Sequence, residues 1–306
     1  MCNLAIVIPY YKLSFFEETL KSLKAQSDQR FKVYIGNDAS PENPETLLNN
    51  YTSQLSAVYH KFDTNIGGTS LVKQWDRCIG LVENEEWIMI LGDDDYLGKD
   101  VVKSFYEKYD YFKKATNVVR FASQMLFGED KIDSEIYKHP VWEKAKDSFY
   151  RKHKCRTRSS LSEHIFSKKQ YLKYKFFNYP LAWHSDDRAW FEFSEQMPIY
   201  TINEAEVYVR VSPESISGKQ DNLDNKRVSS SLFYNYLVNQ KLYDFNKIQR
   251  IEIVKSYLER TLIVRKVKVK EWLFLWHFHI RNFTKPSFKK FSKILIKSLF
   301  KINHYN

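Results

Sequence analysis

The chain has 306 residues, 43% of them hydrophobic and 16% aromatic, with 8 glycines and 8 prolines, a composition that excludes disorder, collagen-like repeats and low-complexity chains. Its formal net charge is +11, but from Thr261 to Asn306 eleven basic residues stand against Glu271 alone, so the body is close to neutral and the tail is the basic element. Three cysteines without CxxC spacing support neither a disulfide framework nor a zinc site, and no apolar run approaches the roughly 20 residues of a bilayer-spanning helix, so a cytoplasmic chain without a signal peptide is expected.

The N-terminal third alternates short β-branched runs with longer amphipathic ones, the pattern of an α/β sheet built from βαβ units. Leu4 to Ile8 reads as a buried strand stopped by Pro9, and Phe15 to Gln26 as a helix with Leu20, Leu23 and Ala25 inward. Lys32 to Gly36 is a second strand, closing in Asn37-Asp38-Ala39-Ser40-Pro41. Ala57 to His60 is a third, followed by Asn65-Ile-Gly-Gly68 and a helix through Leu81. Trp87 to Leu91 is a fourth, ending in Gly92-Asp93-Asp94-Asp95; Asp100 to Lys114 is helical, and Val118 to Phe121 is a fifth strand. Lys138 to about Lys175 has no clear period and reads as a boundary or a long insertion. From Ile199 to Arg210 the alternation predicts a strand pair at the sheet edge. A domain over 1–220 and a basic helical extension over 221–306 follow.

In an open α/β sheet the ligand sits outside the carboxyl ends of the strands, and there this chain places Pro9-Tyr10-Tyr11, Asn37-Asp38 and the three aspartates. Adjacent carboxylates repel unless a cation or proton compensates. Mg²⁺ or Mn²⁺, which takes oxygen ligands and nucleotide phosphates, is the simplest compensation; the alternative is an acidic helix start before Asp100. Asp38 suits a ribose hydroxyl or a base imino group, or else an Asx-turn before Pro41. Tyr10 and Tyr11 suit stacking on a base, or half-burial. Asn65 to Gly68 lets backbone approach a ligand, or is an ordinary helix-entry turn. In Trp183-His-Ser-Asp-Asp-Arg188, Asp186 and Asp187 either cap the following helix or face a cavity, where one carboxylate can act as general base. His184 reads as structural, with no second histidine at metal spacing.

The ordered set Ile8-Pro9-Tyr10-Tyr11, Ile35-Gly-Asn-Asp38-Ala-Ser40, Asn65-Ile-Gly67, Trp87 to Asp95 and Ser185-Asp-Asp187 resembles the family 2 inverting glycosyltransferases, over about residues 3–215. The resemblance implies a GT-A fold, a Rossmann-like, mostly parallel sheet flanked by helices, with a nucleotide-sugar half over about 1–125 and an acceptor half over about 126–220. It implies nucleotide-sugar contacts at Pro9, Tyr10, Tyr11, Asp38, Asn65, Gly67, Lys73 and Asp93, with Lys73 or Gln74 standing where the family often has Arg or Asn. It implies a divalent metal, Mn²⁺ or Mg²⁺, held by Asp94 with Asp95 in support, and Asp187 rather than Asp186 as the base. Gly92 stands where the family often has Asp, and Ser212 where a His often follows the arginine of the closing strand. The expected donor is a nucleotide-diphosphate sugar, UDP-linked by preference. The expected acceptor is a glycan or lipid-linked hydroxyl in bacterial capsule or lipopolysaccharide assembly.

Phe288 to Phe300 places Phe291, Leu295 and Leu299 on one side and Lys293, Lys297 and Lys301 in a stripe. With Trp272, Trp276 and Phe283 upstream, the tail fits a helix on the inner face of an anionic membrane; the alternative is packing on the chain's own catalytic domain. A nucleic-acid-binding tail is the rival from another class, disfavoured by the neutral body and its clustered acids.

Overall fold

The computed structural model describes residues 3–51, 55–127, 131–132, 135–212, 215–216, 218–219 and 221–299. β1 (Leu4–Tyr10), β2 (Phe31–Asn37), β3 (Ala57–Lys61) and β4 (Trp87–Ile90) form a parallel half-sheet joined through α1 (Phe16–Lys24), α2 (Glu45–Asn49) and α3 (Leu71–Ile79). It continues with β5 (Tyr96–Leu97), α4 (Val101–Phe112), β6 (Val118–Phe127), β7 (Lys131–Ile132), β8 (Trp142–Glu143) and α5 (Ala145–His153). β9 (His164–Ser167), α6 (Lys168–Tyr174), α7 (Ser185–Phe193) and β10 (Ile199–Val211) complete it. The strand order is β3-β2-β1-β4-β9-β6-β10-β5, with β9 antiparallel to both neighbours and β10 parallel to β6.

Strand side chains alternate between faces, and both faces of this sheet are covered. Leu4, Ile6, Ile8 and Tyr10 of β1 pack with Phe16 and Leu20 of α1 and Phe105 of α4. Ala5 and Val7 enter the opposite layer, with Val72 and Trp75 of α3 and Trp190 of α7. Each fully buried Leu, Ile or Phe contributes about 1.5–3 kcal/mol.

Two expectations are corrected. The stretch from Lys138 to Lys175 is neither a boundary nor an insertion: it supplies α5, α6 and β9, the strand that fills the gap between β4 and β6. Its elements are two to nine residues long, too short for a visible period. Ile199 to Arg210 is one strand inside the sheet rather than a pair at its edge, with a register shift between Ile202 and Glu206.

The chain divides into two compact units, one up to Leu223 and one from Asp224 onward. The second contains most of α8 (Leu223–Tyr236), then α9 (Lys247–Val264), α10 (Val269–Arg281) and α11 (Lys285–Leu299). Among the described residues no helix is long and apolar enough to cross a membrane. In α11, Phe291 is buried, with Trp272 and His279 of α10 beside it. Lys301 lies outside the described residues.

Candidate active site

A cleft of about 490 Å³ opens at the carboxyl ends of β1 and β4 and reaches across to α5 and the start of α7. Pro9, Tyr11, all three aspartates, Asp186 and Asp187 line it. Tyr10, by contrast, is fully buried. Two-residue alternation puts Tyr10 on the face of Ile8, where its ring tilts against Phe16 at 4.7 Å and its hydroxyl donates to the Glu42 carbonyl. Only Tyr11, 39% exposed, is free to meet a ligand.

The three aspartates do different work. Asp93 Oδ2 accepts the backbone N–H groups of Tyr11 and Lys12 at 2.7 and 2.9 Å, tying the end of β1 to the end of β4. Asp95 is held at both oxygens, by the Arg210 N–H at 2.7 Å and the Ser162 hydroxyl at 2.5 Å. Asp95 thereby ties the end of β4 to β10 and to Ser162, with one acceptor site on each oxygen taken up inside the fold. Among the described residues, no other group donates a hydrogen bond to the Asp94 carboxylate. Burial and the neighbouring Asp93 raise the pKa of Asp94 to about 6, while Arg210 pulls the other way. None of the three caps α4, whose N-cap is Asp100.

Gly92 is explained by the same crowding: a Cβ there would lie 2.8 Å from Asp95 Oδ2 and 3.1 Å from Asp94 Oδ1. A fourth carboxylate would sit against two others. The Arg210 guanidinium donates to the Asp94 carbonyl at 3.1 Å and to Glu18 at 2.5 Å, and stacks 3.7 Å from the Phe15 ring. It braces the triplet from below.

At the end of β2, Asp38 accepts from the Ile66 and Gly67 N–H groups at 2.9 and 2.8 Å and pairs with Arg77 of α3. The Asx-turn weighed as the alternative for Asp38 is not what its carboxylate makes; the side chain that bonds ahead into this segment is Asn37, whose Oδ1 accepts from Ser40 N–H at 2.8 Å. A Cβ on Gly67 would lie 2.4 Å from Asp38 Oδ2, so glycine is what lets the turn close on the carboxylate. Asn65 Oδ1 accepts from Gly68 N–H, holding that turn from within. Lys73 is exposed on α3, and Gln74 is buried, donating to the Gly36 carbonyl. Like Asp38, Asn65 and Gly67, neither of them lines the cleft. One residue that sequence reasoning missed is Arg77, one turn further along, stacked 3.9 Å from Phe62 and donating to the Thr64 carbonyl. Its signal was its spacing from Gln74, the same α3 face that carries inward residues.

On the far wall, Asp187 is clamped. Lys152 Nζ of α5 lies 2.7 Å from one oxygen and His184 Nδ1 2.7 Å from the other. These partners, Lys152 first, more than offset the burial and hold Asp187 well below the usual carboxylate range. Asp186 moves the other way, raised by burial and by the adjacent Asp187 charge. Neither Ser185 nor Asp186 caps α7: the N-cap is His184, with no side-chain cap bond, and the Ser185 hydroxyl donates to the Phe177 carbonyl. The chain enters α7 through Leu181, Ala182 and His184, all at positive φ of 58°, 53° and 70°. Paired with Lys152 and in contact with His184, Asp187 is the weaker proton acceptor of the two carboxylates. Lys152 was hidden to sequence reasoning because its helix lies in the stretch without a period.

A divalent ion fits this chemistry in one form. Among the described residues no three His, Cys, Asp or Glu side chains converge, so a closed protein cage is not built. One carboxylate, Asp94, together with donor phosphates is the way Mg²⁺ is commonly held.

The sequence model described as Glycosyl transferase family 2 matches residues 5–170. A search of curated proteins by sequence finds no match. Among solved structures, S. aureus TarS 1-349 in complex with UDP-GlcNAc superposes with a TM-score of 0.64 at 16% identity, over 93% of this chain and 82% of that one. The same protein in complex with UDP gives 0.61 at 17% identity, with equal coverage. The fuller S. aureus TarS structure gives 0.60 at 16% identity over 93% of this chain and 50% of that one, so the chain spans half the length of that protein. At such identities the likeness is one of fold, the expected α/β GT-A sheet.

Proposed function

The chain belongs to glycosyl transferase family 2, and we propose that its cleft moves a sugar from a nucleotide-diphosphate donor, UDP-linked by preference, to an acceptor hydroxyl with inversion. The observation that carries this reading is geometric: Asp94 of the acidic triplet and the adjacent carboxylates Asp186 and Asp187 line one cleft. The UDP and UDP-GlcNAc bound by TarS support the choice of base.

Tyr11 flanks the base, and Asp38 with Arg77 and the Gly67 turn shapes the nucleoside end. Asp93 holds the end of β1 against the diphosphate end. A divalent ion held by Asp94 and the diphosphate would supply charge neutralisation for the leaving group. Asp186 takes the proton of the acceptor hydroxyl; the acceptor oxygen bonds to the anomeric carbon as the bond to the diphosphate oxygen breaks on the opposite face, and one displacement inverts that centre. Asp187, with Lys152 and His184, positions Asp186 and keeps it basic without itself accepting the proton. The basic stretch 261–306 supports a peripheral position on the inner face of the cytoplasmic membrane. A lipid-linked acceptor of envelope polysaccharide assembly, capsule or lipopolysaccharide, suits that position.

A thermal-shift panel of UDP, GDP, dTDP and CMP with and without Mn²⁺ tests this. A ligand at 100 times its Kd stabilises by about 2.7 kcal/mol. A Mn²⁺-dependent shift with UDP, lost in Asp94→Ala, is expected; no shift with any nucleotide sinks the reading.

A further inference from the structure

α10 has two unlike sides. Leu275, Phe278 and His279 are buried, and Phe291 of α11 stacks on His279 with ring centroids 4.4 Å apart. The other side presents Val269, Leu273, Trp276 and Ile280 at 76%, 64%, 54% and 47% exposure. Their spacing of four, three and four residues makes a single stripe along the helix. Phe283, just beyond the helix end, is 58% exposed and continues it. An apolar stripe of this length on the outside of a unit whose core is filled from the opposite side marks a contact surface.

The charges around it have one sign. Glu271, the single acid from Thr261 to Asn306, is turned away from the stripe and used up internally. Its carboxylate accepts from the Tyr257 hydroxyl at 2.7 Å, from Arg265 at 2.6 and 2.8 Å, and from the Lys268 N–H at 2.7 Å. Exposed Lys270, His277 and Arg281 follow one another at helical spacing along one edge of the stripe, and exposed Lys266 precedes the helix. A second copy of the chain would bring two basic rims together, which repel. An apolar stripe with a cationic edge complements a bilayer carrying anionic headgroups.

We propose that the Val269-Leu273-Trp276-Ile280 face of α10 is the docking surface for an anionic lipid bilayer, lying in its interface with Lys266, Lys270 and Arg281 at the headgroup phosphates. This deepens the peripheral-membrane reading and rests on it, but not on the transfer chemistry. It also moves the anchor from α11, where Phe291 is spent on packing, to α10.

Flotation of the full chain with phosphatidylglycerol-containing vesicles, beside pure phosphatidylcholine vesicles, tests it. The wild type floats with the anionic vesicles and is released by high salt. Leu273→Ser/Trp276→Ser weakens partitioning by about tenfold or more, with the thermal midpoint and the UDP shift unchanged. Lys266→Glu/Lys270→Glu loses the preference for anionic lipid. A wild type that stays off anionic vesicles overturns both the membrane reading and the α10 assignment, leaving the nucleotide result to stand alone. Flotation unchanged in Leu273→Ser/Trp276→Ser overturns the α10 assignment only. A wild-type dimer by light scattering that this variant dissociates assigns the stripe to a second copy and overturns the proposal.

Discussion

Lys152 Nζ and Asp187 Oδ1 stand 2.7 Å apart, joining α5 to the first turn of α7 at the wall of the cleft. The pair decides which of two adjacent carboxylates is available. Asp187 faces Lys152 and His184, while Asp186 carries the raised pKa that a base working near neutrality needs.

Asp186→Asn is therefore expected to lower kcat by about 10²–10⁴-fold, the usual range for a general base, with UDP affinity by calorimetry unchanged. Asp187→Asn releases Lys152 and His184, so it lowers the thermal midpoint as well as the rate. An active Asp186→Asn beside an inactive but fully stable Asp187→Asn would reverse the two roles.

The pH profile follows with a definite sign. Burial and the Asp187 charge push the pKa of Asp186 up to about 7, and only the deprotonated form accepts the hydroxyl proton. The rate should climb as pH rises through about 7 and level off above it. Lys152 favours the charged form of Asp186, so Lys152→Met moves this acid limb to higher pH. A limb in the ordinary carboxylate range, unmoved by that variant, contradicts the assignment.

At the acidic triplet, a Cβ on residue 92 would press on Asp95, which cannot swing away because Arg210 and Ser162 hold both its oxygens. Gly92→Ala is expected to weaken Mn²⁺-dependent UDP binding by about 10–100-fold, the scale found when groups supporting a metal ligand are disturbed. Titration calorimetry with and without the ion measures it. Binding as tight as in the wild type would show that Asp95 does not support Asp94.

The nucleoside end is tested through stability. In Gly67→Ala the new methyl group would meet Asp38 Oδ2 at 2.4 Å, breaking the bonds to Ile66 and Gly67. Overpacking of this kind costs about 1–3 kcal/mol, and thermal unfolding should show a midpoint several degrees lower together with weaker UDP binding. An unchanged midpoint would mean that the turn relaxes without cost.

Much of the first hundred residues was legible because each β-branched run has a buried partner and each ends in polar residues at one sheet edge. Tyr10 and Tyr11 show the limit. Both sit at that edge in the sequence, and only the strand's two-residue alternation, counted from Ile8, separates the core tyrosine from the cleft tyrosine. Arg77 and Lys152 were not legible for a different reason. Each reaches its carboxylate from another element, 39 residues from Asp38 and 35 from Asp187, and local pattern says nothing about such distances. The same holds for β9, four residues long, whose place between β4 and β6 is dictated by the sheet rather than by its own sequence.

The left-handed backbone of Leu181, Ala182 and His184 bears on how this protein can vary over time. β-Branched side chains are the ones least able to adopt positive φ, so valine, isoleucine and threonine are barred at three of the four positions just before Ser185, whatever their fit to the cleft. Glycine or asparagine enters at little backbone cost. A saturation library across 181–184 should therefore divide by backbone shape rather than by polarity. Drift in this wall of the cleft is confined to a short alphabet, and changes in what the protein accepts as a substrate have to come from its other walls.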